Sequence, residues 1–275
     1  MQETNPGPSV EVHHLTLTTP RGPLACERLG SGPPLLMLAG LGSRARLWGE
    51  LPRILSSRFT VLAPDNRGVG GSRSGESFTL EGAADDADQI LEEQAGQPAG
   101  VLGVSMGGLI ACTLAARHPA LVGRMVIASC GARLTPSHRR VLRFFELVLS
   151  RLSPGEAAEA LMAFAFGASF ADRYPGYVDQ AARLWTLDPE DVPGALGQIE
   201  HLRSGWDLGP ALEAVTCPTL VLAGELDPLV AAASTRELAS RIVGAGYREV
   251  PRAAHSVLAE GGAALLSEVV EFLAS

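Results

Sequence analysis

The chain has 275 residues, a formal net charge of −8, and 22 basic residues that are all Arg. Because it contains no Lys, it cannot perform the chemistry of P-loop nucleotidases, protein kinases or pyridoxal-phosphate enzymes, each of which needs a lysine. The negative charge argues against a surface for nucleic acids or anionic membranes. The four Cys show no C-x-x-C spacing and the first residues show no signal-peptide pattern, so we predict no zinc or redox site and a cytoplasmic location.

Short apolar strands alternate with helices along the chain, which is typical of a mostly parallel α/β sheet. Eight strands are predicted, at Val10–Thr18, Leu24–Arg28, Leu35–Ala39, Phe59–Ala63, Gly100–Val104, Leu121–Ala128, Thr219–Ala223 and Tyr247–Val250. The first two form an antiparallel hairpin at the sheet edge. Helices are predicted between and after them, at Arg46–Leu55, Leu80–Glu93, Met106–Arg117, Ala231–Ile242 and Gly262–Leu273. The uncharged stretch 99–116 has the length of a membrane span, but its glycines favour a buried strand, a tight turn and a buried helix.

A long helical segment separates the sixth and seventh predicted strands. Residues 137–204 place their apolar side chains at helical spacing and show no strand pattern. The sequence therefore predicts an α/β core made of residues 1–132 and 208–275, interrupted by a helical insertion at residues 133–207.

Residues 103–107 have the pattern G-x-S-x-G, with Ser105 at its centre. The motif follows an apolar strand and opens a helix, which is the arrangement called a nucleophile elbow. At so tight a turn the residues two before and two after the serine crowd together, so Gly103 and Gly107 both need to lack a side chain. The motif indicates a nucleophilic Ser105; the alternative is a glycine-rich packing turn in which the serine has no chemical role.

A serine hydroxyl becomes nucleophilic when a base accepts its proton, and an elbow serine is followed along the chain by an acid and then by a histidine. His255 lies in a loop of small residues after the last predicted strand, and Asp227 follows the preceding strand. Glu225 is the nearest competing acid, and residues 128–130, another place for the acid, contain none. We predict that Ser105, Asp227 and His255 form a catalytic triad.

The charge that develops on an attacked carbonyl oxygen needs two N–H donors, which together are called an oxyanion hole. The amide of Met106, directly after the serine, is the first candidate. The amide of Leu41, in the loop after the third strand, is the second, and the flanking Gly40 and Gly42 allow that loop to approach a substrate.

Taken together, these motifs resemble the α/β-hydrolase superfamily over nearly the whole chain. The matching segments are residues 38–42 with Trp48, residues 65–72, 103–108 and 224–227, and His255. The resemblance implies an α/β-hydrolase fold, with a mostly parallel eight-stranded sheet, flanking helices and the helical insertion as a cap, and a serine mechanism without cofactor or metal. Within the superfamily the chain looks most like 3-oxoadipate enol-lactonases and related small esterases and cofactor-free perhydrolases. Two departures are Ala39, where many relatives have His, and Ala231, where many have Pro.

The resulting prediction is a serine hydrolase that cleaves a small or medium carboxylic ester or lactone through an acyl-enzyme. A perhydrolase or a C–C bond hydrolase would use the same triad, whereas a non-catalytic ligand-binding protein would keep only the fold. Substrate contacts are predicted for the oxyanion loop and for aromatic residues, namely Gly40, Trp48, Phe144, Phe166 and Trp185. Arg67 could bind a substrate carboxylate, but in this motif a structural role is more common.

A competing interpretation is dinucleotide binding, since residues 40–45 fit G-x-G-x-x-A after a strand and Asp65 ends the next strand. In that case Asp65 would bind a ribose, or Arg67 a 2′-phosphate. The hairpin before this strand is atypical of such domains, and the predicted triad would have no role.

Overall fold

The computed structural model of the protein describes residues 11–275. Val10, the predicted first residue of the first strand, lies outside the described residues. The strands of the described chain are β1 Val12–Thr19, β2 Gly22–Leu29, β3 Pro34–Leu38, β4 Thr60–Pro64, β5 Ala99–Val104, β6 Val122–Ala128, β7 Thr219–Gly224 and β8 Gly246–Val250. They form one sheet in the order β1-β2-β4-β3-β5-β6-β7-β8. The pairs β1–β2 and β2–β4 are antiparallel, and the other neighbours are parallel.

The α-helices of the same residues are α1 Leu51–Leu55, α2 Leu80–Gln94, α3 Met106–Arg117, α4 Pro136–Arg151, α5 Pro154–Ala165, α6 Ala168–Arg173, α7 Pro175–Trp185, α8 Val192–Ser204, α9 Gly209–Glu213, α10 Ala232–Arg241, α11 Val257–Glu260 and α12 Gly262–Ala274. Helices α4–α8, here called the helical insertion, follow β6 and precede α9 and β7. The predicted mostly parallel, eight-stranded sheet with flanking helices is confirmed. The predicted domain boundaries at residues 133 and 207 stay a prediction.

The predicted helix Arg46–Leu55 is wrong, because a short 3-10 turn, Ala45–Trp48, is separated from α1. Gly49 lies between them with a φ of 56°, which a right-handed helix does not tolerate. Pro52, at the second position of α1, is favoured at the start of a helix and marks the new beginning. The apolar spacing is helical on both sides of the break, so the pattern alone suggests one continuous helix.

Two apolar clusters hold the core helices against the sheet. In the central strand β5, Val101 faces a cluster with α2, α3, α9 and α10, and the next residue, Leu102, faces a cluster with α1, α11 and α12. This alternation follows from the two-residue period of a strand. Each fully buried aliphatic side chain of this kind stabilises the fold by about 1.5–3 kcal/mol, so both layers are strongly held to the sheet.

The helical insertion is joined to the core by a buried carboxylate and a close backbone contact. Asp191 has no exposed surface and accepts hydrogen bonds from the Gly70 amide at 3.0 Å and from Arg44 Nε at 2.6 Å. A Cβ on Gly194 would lie 1.8 Å from the carbonyl oxygen of Gly68, so the two backbones meet without room for a side chain. The insertion is therefore held against the loop that follows β4.

Candidate active site

The carboxyl ends of β3, β5, β7 and β8 meet at one edge of the sheet. The loop after β3 contains Leu41, the turn after β5 contains Ser105, the loop after β7 contains Asp227, and the loop after β8 contains His255. From β3 the chain passes to β4 on one side of the sheet, and β5 then lies on the other side of β3. Open α/β sheets bind ligands at the point where the strand order reverses in this way. Parallel pairing thus brings four predicted site residues, far apart in sequence, to one edge.

Ser105 occupies a strained turn between β5 and α3, with φ 56° and ψ −119°. Residues with a side chain rarely adopt this conformation. A Cβ on Gly107 would lie 1.9 Å from the carbonyl oxygen of Leu38, and a Cβ on Gly103 would lie 2.5 Å from that of Gly107. This crowding requires glycine at both positions, as the steric argument from the sequence predicts.

The buried Asp227 pairs with His255, whose side chain is partly exposed. His255 Nδ1 lies 2.8 Å from Asp227 Oδ2, and Asp227 Oδ1 accepts hydrogen bonds from the amides of Leu229 and Val230 at 2.8 and 2.9 Å. An Nδ1–H that donates to this carboxylate leaves Nε2 as the basic atom of the ring. The Ser105 hydroxyl and the His255 ring line the same cavity, with no direct hydrogen bond between the two side chains.

The surroundings of His255 raise its pKa above the usual value of 6.5. Burial opposes the charged imidazolium, but the negative charge and the hydrogen bond of Asp227, together with the nearby Glu260, outweigh it. The imidazolium that forms when the ring accepts a proton is therefore stabilised.

Two side chains that the sequence reasoning missed hold the loop of His255. Glu260 accepts hydrogen bonds from the amides of Ala254 and Gly167, both at 2.9 Å, so it joins this loop to the helical insertion. The Ser129 hydroxyl donates to the carbonyl oxygen of His255 at 2.8 Å. No sequence motif indicates the contacts to Gly167 and from Ser129, because they join distant residues. Glu260 lies 93 positions from Gly167, and Ser129 lies 126 positions from His255.

Glu225, the competing acid, has a different partner. Its carboxylate accepts a hydrogen bond from the amide of Arg252 at 2.8 Å. Arg252 has a φ of 61°, so this contact holds a strained residue three positions before His255. The structure therefore gives Asp227, and not Glu225, the contact with the imidazole.

The loop after β3 lies against the serine. A Cβ on Gly40 would lie 3.5 Å from the Cβ of Ser105. Leu41 and Met106 both line the cavity, and neither of their amides donates to a protein acceptor within the described part of the chain. Two free backbone donors beside a serine are what an oxyanion hole requires.

Carbonyl groups of this loop are held by side chains from two parts of the fold. Asn66 Nδ2 donates to the Gly40 oxygen at 2.5 Å, and the indole of Trp185, at the end of α7, donates to the Leu41 oxygen at 3.3 Å. These contacts support the loop without a histidine at position 39, which is occupied by Ala39.

The side chain of Gln198, on α8, holds the same loop through the backbone amide of Gly42. This side chain is fully buried, Oε1 accepts from the Gly42 amide at 2.7 Å, and Nε2 donates to the Arg67 oxygen at 2.9 Å. Because the Gly42 amide has this partner, it is not available to an oxyanion, whereas the Leu41 amide is. The helical insertion thus orients the predicted oxyanion loop.

A cavity of about 630 Å³ lies between this edge of the sheet and the helical insertion. Four of the predicted substrate-contact residues line it, namely Gly40, Trp48, Phe166 and Trp185. Phe144 does not line the cavity, since its ring packs on Phe164 at 5.2 Å and on Phe145 at 6.3 Å. Phe145 lines the cavity instead, because one step along a helix turns the side chain by about 100°.

The model of the alpha/beta hydrolase family matches residues 35–268 of the chain. The chain belongs to this family. It is 28% identical over 261 residues to a Mycobacterium tuberculosis protein that bears the name non-heme bromoperoxidase BpoC, covering 92% of this chain and 98% of that one. It is similar to the structure of a hydrolase from Pseudomonas aeruginosa PA01, with a TM-score of 0.83, 27% identity and coverage of 98% and 100%. The enol-lactonase of Burkholderia xenovorans LB400 follows with a TM-score of 0.79, 26% identity and 97% of each chain covered.

Membership of the alpha/beta hydrolase family makes the protein an enzyme of the hydrolase type and confirms the predicted fold and superfamily. The interpretation as a non-catalytic ligand-binding protein is therefore wrong. Dinucleotide binding loses its structural basis as well. The Asp65 carboxylate accepts hydrogen bonds from the amides of Ala45 and Gly71, and residues 40–45 lead into a short 3-10 turn in place of an α-helix.

Within residues 11–275, no group of three or more His, Cys, Asp or Glu side chains is arranged to hold a metal ion. No helix there is both long and apolar enough to cross a membrane, and the uncharged stretch 99–116 is β5, the elbow and most of α3. Cys130 lines the cavity, but burial raises the pKa of its thiol, so it is a poor competitor of Ser105 as nucleophile.

Proposed function

We propose that this hydrolase cleaves small or medium carboxylic esters or lactones through an acyl-enzyme on Ser105. The observation that carries the proposal is the composition of one cavity. It contains the serine of a strained elbow, a histidine paired with Asp227 at 2.8 Å, and the free amides of Leu41 and Met106. We propose further that residues 133–207, which contain the helical insertion, act as a cap over this cavity.

In the first half of the reaction, Ser105 Oγ attacks the carbonyl carbon while His255 Nε2 accepts the hydroxyl proton. Hydrogen bonds of this kind are often long before substrate binds and shorten in the complex, so their absence here is compatible with the role. The oxyanion of the tetrahedral intermediate accepts hydrogen bonds from the Leu41 and Met106 amides. Asp227 stabilises the imidazolium and holds the ring in place.

In the second half, the intermediate collapses and breaks the bond to the alkoxy oxygen, which takes the proton from His255 Nε2 and leaves as the alcohol. Water then attacks the acyl-enzyme while the same nitrogen accepts one of its protons. Collapse of the second intermediate releases the carboxylic acid, and the proton returns to Ser105 Oγ. With a lactone, the alcohol and the acid are parts of one product.

A fluorophosphonate probe tests the nucleophile, since it labels activated serines covalently. We expect one labelled residue, Ser105, in the folded protein, and no label after denaturation. Turnover of p-nitrophenyl esters, lactones and C–C substrates then identifies the reaction, and a peracid assay with hydrogen peroxide covers the perhydrolase alternative, which the similarity to BpoC favours. Folded protein that takes no label would contradict the proposal.

The pH dependence follows from the raised pKa of His255. Only the neutral imidazole accepts a proton, so kcat/KM should fall about tenfold per pH unit below this pKa. Because the pKa lies above 6.5, we expect the midpoint of the acidic limb above pH 6.5. A neutral ester measured from about pH 4 to 9 checks this, with circular dichroism as the control for folding. A rate that stays constant down to about pH 4 would exclude this base.

Replacing Gln198 by Leu tests the support of the oxyanion loop. The change leaves the Gly42 amide and the Arg67 carbonyl without partners, so the Leu41 amide should shift. We expect kcat to fall about 10- to 100-fold with a smaller change in KM, because the oxyanion forms only in the transition state. Gln97→Leu, at an exposed position in the loop before β5, is the matched control. An unchanged kcat in Q198L would show that the loop does not need this side chain.

A further inference from the structure

The described lining of the cavity contains no Arg, which bears on the charge of the substrate. We propose that the cavity selects an uncharged acyl or lactone chain and rejects substrates that carry a carboxylate beyond the scissile bond. This inference rests on the proposed function, since it concerns the substrate of the same Ser105.

Most of the side chains that line the cavity are apolar, and the polar ones include Tyr177 and Gln180 of α7. Among the described lining residues there is no Arg, and the chain contains no Lys. The part below the helical insertion is formed by Val141, Leu142, Phe145, Leu161, Leu202 and Trp206. A carboxylate placed among these side chains would lose its hydration without gaining a cationic partner, which is the costly way to bury a charge.

Arg67, the guanidinium suggested by the sequence as a carboxylate partner, is engaged elsewhere. It is only 2% exposed, and its Nε and one terminal nitrogen donate to the two oxygens of Asp86 at 2.9 and 2.7 Å. Its other terminal nitrogen donates to the Pro23 oxygen at 2.6 Å. Turning Arg67 towards a substrate would leave a buried carboxylate unpaired, so this residue has a structural role.

One imidazole besides that of His255 belongs to the described wall of the cavity. His138 is buried and stacks on Trp206 at 5.9 Å. Its Nδ1 lies 3.4 Å from the Thr135 amide nitrogen, in the capping box of α4, and 3.2 Å from the Arg133 carbonyl oxygen. Burial lowers the pKa of His138 below 6.5, so the ring is neutral near pH 7. It can exchange a hydrogen bond with a neutral polar group, but it supplies no charge to a carboxylate.

Glu50 and Ile54 are exposed residues of the described lining, here called the mouth of the cavity. Glu50 is the one carboxylate among these lining residues, and it lies 3.9 Å from Arg53 Nε. The oxyanion amides of Leu41 and Met106 are used by the scissile carbonyl in a productive complex. A carboxylate at the far end of the substrate therefore meets a mostly apolar wall or the Glu50 carboxylate, and no Arg among the described lining residues.

The test measures the wild-type protein with three ester substrates that differ in one terminal group. They are p-nitrophenyl hexanoate, mono-p-nitrophenyl adipate and methyl p-nitrophenyl adipate. We expect kcat/KM for the monoanionic adipate to be at least about 100-fold lower than for the hexanoate. Capping the same carboxylate as its methyl ester should restore most of the rate, because the charge is removed while the chain grows by one methyl group only.

Two further measurements, at high salt and in the variant Glu50→Gln, distinguish two causes of the discrimination: burial of the substrate charge in the apolar wall and long-range repulsion by Glu50. Raising the ionic strength from about 0.1 to 1 M shortens the screening length from about 10 to 3 Å. We expect the discrimination to persist at high salt and in Glu50→Gln, because it arises from the apolar wall. A discrimination that disappears under either condition would overturn the proposal.

A cation placed in the wall should reverse part of the effect. Leu142→Arg puts a guanidinium at a lining position of α4, and Leu147→Arg, at an exposed position of the same helix, is the matched control. We expect the ratio of adipate to hexanoate kcat/KM to rise at least about tenfold in L142R and to stay unchanged in L147R. The wild-type comparison stands independently if L142R fails to fold.

The outcomes distinguish this inference from the proposed function. Equal turnover of the hexanoate and the anionic adipate, with Ser105 labelled by the fluorophosphonate, would overturn the selection by charge and leave the serine hydrolase intact. No label on Ser105 and no turnover of any of the three esters would overturn the proposed function itself.

Discussion

Ser105→Ala should lower kcat for a neutral p-nitrophenyl ester by about 10⁴-fold or more, equivalent to about 5.5 kcal/mol of transition-state stabilisation. The hydroxyl is the atom that bonds to the substrate, and no other side chain at the elbow can replace it. Alanine keeps a Cβ at the strained position, so the turn between β5 and α3 should persist. Substrate binding should be retained, because the amides and the apolar wall remain.

The control for this variant is Ser267→Ala, at an exposed position of α12. We expect unchanged kcat in S267A, and the same melting temperature in both variants as in the wild type. Near-normal activity of correctly folded S105A would mean that the nucleophile is elsewhere.

Asp227→Asn should lower kcat by about 10³- to 10⁴-fold. The side-chain oxygen can still accept the amides of Leu229 and Val230, which leaves the NH₂ group facing His255 Nδ1. The neutral ring would then carry its proton on Nε2 and could not accept one from Ser105. The pKa of His255 should also drop, because the carboxylate that raises it is gone. The midpoint of the acidic limb should therefore move to lower pH.

Two further carboxylates serve as comparisons for D227N. Glu225→Gln and Glu260→Gln alter side chains that contact the backbone of the His255 loop and leave the imidazole partner in place. We expect each to cost less than about tenfold in kcat, since each shifts the loop but keeps the tautomer. A larger loss in E260Q than in D227N would assign the acid to Glu260.

Much of the fold could be predicted because its signals are short-ranged. The alternation of apolar residues marked each strand, and the order of strands and helices implied a sheet with parallel neighbours. The prediction was wrong where the apolar spacing of a short 3-10 turn and that of the following helix together looked like one helix. At residues 46–55 the helical spacing continued across Gly49, and only its φ of 56° shows that the helix is interrupted.

The candidate site was predictable to a similar extent. Ser105, Asp227 and His255 stand at strand ends in the expected chain order, and parallel pairing brings strand ends together. The lining of the cavity was harder to predict, because it depends on which face of each helix turns inward. From the sequence, Phe144 and Phe145 are equally good candidates for a substrate contact, but of the two Phe145 alone lines the cavity.

The sequence by itself determined the order of the elements, the elbow with its two required glycines, and the absence of lysine chemistry. These depend on composition or on residues within a few positions of one another. Only the tertiary structure decided what supports the site and what the cavity can accept. Gln198 reaches Gly42 across 156 positions, and Arg67 turns to Asp86 and away from the cavity. Such contacts follow from the packing of the helical insertion and the core, which no local pattern encodes.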